Sequence, residues 1–274
     1  MEALDLGTLA HFVVLLLVAG AIAGTMAGLL GVGGGMIIVP VLLYMFTFLG
    51  VTEAHRMHLA VGTSLATIVV TSVMSVRAHR KRRSIDWSIF KAWAPWVVLG
   101  VVIGSVIAAW LDASGLKIVF GGMALLVAAY MAFVKEGYVL AQEPPRGAAK
   151  AATASVIGGL STLIGIGGGT FTVPTLVLCS FKPLIAVGTA SAIGILIAVP
   201  GSLGFIISGL DKTEGMPPFT IGYVNIAAFL VLIPMTSLFA PVGARIAHAI
   251  SSRWLRRAFA LFLLVNGVNI LLSA

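Results

Sequence analysis

GVGGGMIIVP, residues 31–40, recurs as GIGGGTFTVP, residues 165–174, at an offset of 134. Behind each copy comes a second shared piece, AVGTS at Ala60–Ser64 and AVGTAS at Ala186–Ser191. These lie 126 positions apart because the first unit carries an eight-residue longer connection. Farther on, Gly104, Leu116, Lys117 and Phe120 align with Gly243, Leu255, Arg256 and Phe259 at an offset of 139. The same landmarks in the same order mark a duplication. It has a first repeat over residues 1–134, a polar cytoplasmic linker over 135–150 with Pro144 and Pro145, and a second repeat over 151–274.

Around these motifs the chain is apolar nearly throughout, with 59% of its 274 residues in the AVILMFWYC class and only 9% charged. A globule of this size could not cover its surface with so few charges, which excludes a soluble enzyme or a disordered chain and leaves an all-α polytopic membrane protein. The net charge of +8, from 17 Lys plus Arg against 9 Asp plus Glu, reads as membrane topology and not as nucleic-acid binding. Cys179 is the only cysteine, so there is no internal disulfide or thiolate cluster, and the five histidines show no HxxxH or HExxH spacing. No metal, cofactor or catalytic constellation is expected.

Apolar runs fall at about 8–30, 34–49, 58–76, 93–111 and 116–134, then 151–164, 169–181, 184–209, 221–239 (prolonged by 240–250) and 255–273. Three of them, 34–49, 151–164 and 169–181, are too short for an ordinary span of about 20 residues. We expect them to be broken, tilted or re-entrant, with the freed backbone lining protein or a watery cavity. Ten crossings with both termini outside put 14 of the 17 basic residues inside, including the 77–83 cluster, Arg245, Arg253, Arg256 and Arg257; Arg56, Lys117 and Lys212 fall outside. Eight crossings would send the 253–257 group outside, so charge favours ten. Five crossings per unit invert the second copy relative to the first, whereas four would leave the two parallel. Trp87, Trp93, Trp96, Trp110 and Trp254 read as an interfacial belt.

The glycine triplets, Gly33, Gly34 and Gly35 with Gly167, Gly168 and Gly169, let backbone N–H groups approach a ligand. If each opens the following short helix, it adds a helix N-terminus suited to an anion. Close helix packing is the competing explanation. Thr63, Ser64, Thr189 and Ser191 are candidate hydroxyl ligands, with back-bonding to their own helix as the alternative. Pro40 and Pro174, nine residues after Gly31 and Gly165, are candidate hinges. Asn225, Asn266 and Asn269 are expected in interhelical hydrogen bonds, His58 and His248 at interfaces, and Arg56 and Arg245 in topology or lipid contact. Glu53 and the other acids outside the termini fall in or beside loops, so no intramembrane carboxylate relay is expected. The GxxxG at Gly100–Gly104 could join two chains in a homodimer or two helices of one chain.

The paired motifs, the GTS and GTAS pieces and the basic loop after the third segment together resemble the sulfite exporter TauE/SafE family over nearly the whole chain. The resemblance implies transport of a small anion such as sulfite, sulfoacetate or another organosulfur compound across the cytoplasmic (inner) membrane. Joined to the duplication, it leads us to expect a secondary carrier, not an enzyme, that exports its cargo by rocking two inverted units around the glycine turns. An anion channel and a non-transporting membrane subunit are the alternatives. Membrane lipid and the small anion are the expected partners, and the residues leave a proton or sodium coupling ion open.

Overall fold

Among the described residues six helices are long and apolar enough to cross a bilayer, and the duplication is reflected in how the helices pack. The structure is a computed structural model that describes residues 6–30, 33–133, 139–212, 214–246 and 253–274. Gly31, Lys135 and His248, and the side chains of Arg253, Trp254, Leu255, Arg256 and Arg257, lie outside the described residues. The first half gives α1 (Leu6–Leu30), α2 (Gly35–Phe48), α3 (Glu53–Lys81), α4 (Trp87–Trp110) and α5 (Ala113–Phe133). The second gives α6 (Gly147–Leu163), α7 (Gly169–Leu178), α8 (Pro183–Gly209), α9 (Ile226–Ile246) and α10 (Arg253–Leu272). The chain is an all-α multi-pass membrane protein, save for a two-stranded hairpin of β1 (Thr220–Ile221) and β2 (Val224–Asn225) ahead of α9.

Several boundaries differ from the hydropathy reading for local reasons. Most of the 77–83 cluster is helical: α3 runs on through Lys81, and His79, Arg80 and Lys81 form its last turn, with Arg82 and Arg83 in the turn that follows. There cations meet the negative end of the helix dipole. Helix α4 starts at Trp87, six residues before the apolar run, because the Asp86 carboxylate accepts the N–H groups of Ser88 at 2.9 Å and Ile89 at 3.0 Å, a side-chain N-cap. Trp87 is therefore helical, and α6 starts at Gly147, inside the stretch read as a linker.

The helices pack across the halves. α1 lies against α9 and α4 against α6; α3 meets α8 at the centre, and α5 meets α10. Within the halves, α2 rests on α3 and α7 on α8. Exchanging each helix for its counterpart in the other half maps this set of pairings onto itself: α1–α9 exchanges with α4–α6 and α2–α3 with α7–α8, while α3–α8 and α5–α10 are unchanged. Glycine makes the long contacts close. A Cβ on Gly24 of α1 would lie 2.6 Å from the Thr236 carbonyl oxygen, and one on Gly104 of α4 would lie 2.6 Å from the Gly159 carbonyl oxygen of α6. The Gly100–Gly104 pair thus joins two helices of one chain.

Two further expectations are corrected. Trp93 is 1% exposed and belongs to the core, while Trp110 is 88% exposed at the end of α4, so the belt does not include every tryptophan. Lys117, counted among the outside charges, is a buried residue of α5. Its Nζ lies 3.0 Å from the Glu53 carboxylate and 2.6 Å from the Ser273 carbonyl oxygen, which satisfies an ammonium that burial would otherwise disfavour.

Candidate functional site

The two glycine turns meet. A Cβ on Gly33 would lie 2.9 Å from the Cα of Gly167 and 3.0 Å from Cγ2 of Ile68, a residue near the middle of α3. One on Gly35 would overlap the carbonyl oxygen of Gly165, and one on Gly34 would sit 2.7 Å from that of Ala23. Gly33 and Gly34 have φ of 74° and 80°, a region closed to most side chains. Gly34 caps α2 and Gly168 caps α7, and neither helix start receives a side-chain hydrogen bond. Two short helices therefore begin at one buried place, half-way along α3, with their first N–H groups uncapped by side chains.

The repeated GT pieces make a reciprocal clasp. A Cβ on Gly62 would overlap the carbonyl oxygen of Tyr223, just before α9, and one on Gly188 would overlap that of Ser84, just before α4. Next to them the Thr63 hydroxyl accepts the Asn225 N–H at 2.9 Å, and the Thr189 hydroxyl accepts the Asp86 N–H at 2.9 Å. Each half thus holds the start of the other half's fourth helix. Both threonine hydroxyls are thereby engaged with a structural partner. Ser64 does reach the turns: its Oγ donates to the Gly165 carbonyl at 2.7 Å. Ser191 donates to Val187 of its own helix at 3.0 Å and lies 2.9 Å from Ser75 Oγ of α3.

Residues 16–270 match the family described as Sulfite exporter TauE/SafE. The chain belongs to that family. It is 34% identical to a probable membrane transporter protein of Haemophilus influenzae, over 96% of this chain and 99% of that one. It is 30% identical to a probable membrane transporter protein of Methanocaldococcus jannaschii, over 94% of this chain and 95% of that one. A third, from Bacillus subtilis, is 27% identical over 94% and 97%. No solved structure matches.

In this TauE/SafE chain the two motifs differ where it matters chemically. Thr170 and Thr172, in the first turn of α7, stand where the first motif has Met36 and Ile38. Thr170 is 5% exposed and Thr172 fully buried, and neither Oγ1 has a hydrogen-bond partner among the described residues. Thr170 also lines a cavity of about 450 Å³ between α5, α6 and α7 with Phe171, Pro174 and Leu160. Reading the motifs for their shared glycines hid these two; comparing their differences would have found them. Pro40 and Pro174 lie inside α2 and α7, which continue past them. His58, in the second turn of α3, is 4% exposed, its Nε2 is 3.0 Å from the Ala108 carbonyl oxygen and its ring centroid 4.9 Å from that of Tyr223, so its ring packs against protein. Asn225 accepts the Ala228 N–H at 2.9 Å through its side chain, and Asn266 donates back to Phe262 at 2.8 Å within α10; these side-chain bonds are local and not interhelical. Among the described residues no group of three or more His, Cys, Asp or Glu could hold a metal.

Proposed function

We propose that the protein is a secondary carrier that moves a small oxyanion outward across the cytoplasmic membrane by alternating access, with sulfite and organosulfonates as the first cargo candidates. The observation that carries this reading is the meeting of two uncapped helix starts at the Gly33–Gly167 contact. Partial positive charge and free N–H donors from two directions favour a bound anion. Discontinuous helices meeting at a repeat interface are where carriers place cargo. The glycine triplets and Ser64 make the backbone of the site. Thr170 and Thr172 add hydroxyl donors on the α7 side. Thr63, Thr189 and Ser191 support it from a distance, and Pro40 and Pro174 give α2 and α7 a carbonyl without its usual N–H partner where they can flex.

Inverted repeats of five segments, over 1–134 and 151–274, fit the contacts at the helix ends. Arg82 of the first half donates to the Ala244 carbonyl of the second at 3.2 Å, and the Leu140 N–H donates to Leu178 at 2.8 Å. Both pairs fall on one side of the membrane with ten crossings and on opposite sides with eight. The moving bodies in this reading are not the two halves, because the glycine contacts of α1 with α9 and of α4 with α6 bind the halves together. Helix pairs drawn from both halves move instead. Counterflow of labelled sulfite, with sulfoacetate and taurine as competitors, in liposomes holding the purified protein tests the proposal. Saturable counterflow supports a carrier; flux without saturation or exchange points to a channel and overturns it.

A further inference from the structure

A second basic feature lies away from the glycine turns. The last turns of α3 and the end of α9 enclose a cavity of about 260 Å³, lined by Arg77, Lys81, Arg82 and Arg245 with Met74 and Pro241 among its apolar walls. No carboxylate lines it. None is near in sequence either, since the chain has no Asp or Glu between Glu53 and Asp86 or after Glu214, and the Asp86 side chain is occupied in capping α4. The ion pairs among the described residues, Lys117 with Glu53 and Arg146 with Glu143, leave all four cations of the cavity out.

Topology asks for positive charge on this side of the membrane, but it does not ask that cations from two halves of the chain converge on one cavity. Arg82 is held there by its bond to the Ala244 carbonyl at 3.2 Å, so one guanidinium is already positioned. Like charges around a partly enclosed space focus the field inside it, and guanidinium groups match oxyanions with paired hydrogen bonds. At about 30 Å³ per water, the volume holds a phosphate or sulfonate group and a short tail. From Ile68, at the glycine contact, to Arg77 and Arg82 is about 14–21 Å along α3 at the helical rise. That is about half the thickness of the hydrocarbon layer or slightly more, which brings the cavity to the headgroup level.

We propose that this cavity binds a multi-oxygen anion of the phosphate or sulfonate type through Arg77, Lys81, Arg82 and Arg245. The site is separate from the glycine turns and stands whatever those turns carry. Free oxyanion and the phosphate of an anionic lipid share the required chemistry, and the test distinguishes them. Thermal unfolding of the purified protein in neutral detergent is followed with sodium sulfate, against chloride at equal ionic strength, and with dioctanoyl phosphatidylglycerol, against dioctanoyl phosphatidylcholine. At about a hundredfold excess over Kd the midpoint rises by about 5 °C or more. A rise with sulfate alone identifies a free oxyanion, and a rise with phosphatidylglycerol identifies the lipid phosphate. The rise is lost in Arg77→Gln/Arg245→Gln and kept in Lys91→Gln/Lys182→Gln, which removes equal charge from exposed positions elsewhere. Should the double variant fold poorly, Arg245→Gln alone removes an exposed side chain and still lowers the response. No rise with either ligand, or a rise that survives in the cavity variants, overturns the proposal.

Discussion

The hydroxyl of Thr63 holds the backbone N–H of Asn225 at 2.9 Å, and through it the third helix of one half fixes where the fourth helix of the other begins. Thr189 and Asp86 repeat the arrangement with the halves exchanged. Thr63→Val and Thr189→Val each leave a backbone N–H without its acceptor, a loss of about 1–3 kcal/mol. Thermal unfolding in detergent should show both valine variants lowered and Thr63→Ser or Thr189→Ser close to wild type. Unchanged valine variants would remove the clasp from the account.

The glycine turns separate into positions that tolerate a methyl group and positions that do not. At Gly35 the added carbon overlaps backbone, and at Gly33 it lies 2.9 Å from the Gly167 Cα. At Gly168 the contacts are Cγ2 of Ile193 at 3.0 Å and the Ala190 carbonyl oxygen and Gly194 nitrogen at 3.2 Å each, a tight fit relieved by a shift of a few tenths of an ångström, and Gly168 lacks the positive φ of Gly33. Gly33→Ala also adds about 1–2 kcal/mol for its left-handed backbone. Size-exclusion profiles should show Gly33→Ala and Gly35→Ala poorly folded and Gly168→Ala monodisperse.

Thr170 and Thr172 give the site its most direct test. Replacing an unpartnered buried hydroxyl by a methyl group is neutral or stabilising, so Thr170→Val and Thr172→Val should unfold no earlier than wild type. If the hydroxyls donate to a charged cargo, worth about 1.5–3 kcal/mol each, counterflow falls by about 10- to 100-fold. Wild-type counterflow in both would place the cargo elsewhere.

The Glu53–Lys117 pair is one-sided, because the lysine side chain is 6% exposed and the carboxylate 67%. Removing the carboxylate strands a buried charge, whereas removing the lysine leaves an acid that water already solvates. Glu53→Gln should therefore lower the unfolding midpoint more than Lys117→Met does.

Lys182 and Lys212 are exposed at the two ends of α8 and report the topology. In a Cys179→Ala background, ten crossings put Lys182→Cys inside and Lys212→Cys outside, and eight reverse the two. An impermeant maleimide applied to intact cells should label Lys212→Cys alone.

The helices were legible because a run of apolar residues must find either lipid or protein, and the duplication was legible because glycine and proline keep their spacing. What stayed hidden depends on partners distant in the chain. Nothing around Thr63 names Asn225, and nothing around Gly100 and Gly104 names α6. Lys117 looked like a topology mark until α3 and the end of α10 came to its side. The motif glycines read as ligand groups, and the structure finds them first of all at close backbone contacts. Their carbon-free surface serves packing whether or not an anion sits beside them.

The pairing of α1 with α9 sets a timetable for synthesis. Gly20, Gly24 and Gly28 of α1 fit against backbone of α9, which enters the chain about 200 residues later. At about 5–20 residues per second, the notched face of α1 waits roughly 10–40 s for the helix that closes it. During that interval the notched face of α1 is without the helix it packs against in the finished fold, and the closest interface of the first half forms only when α9 arrives.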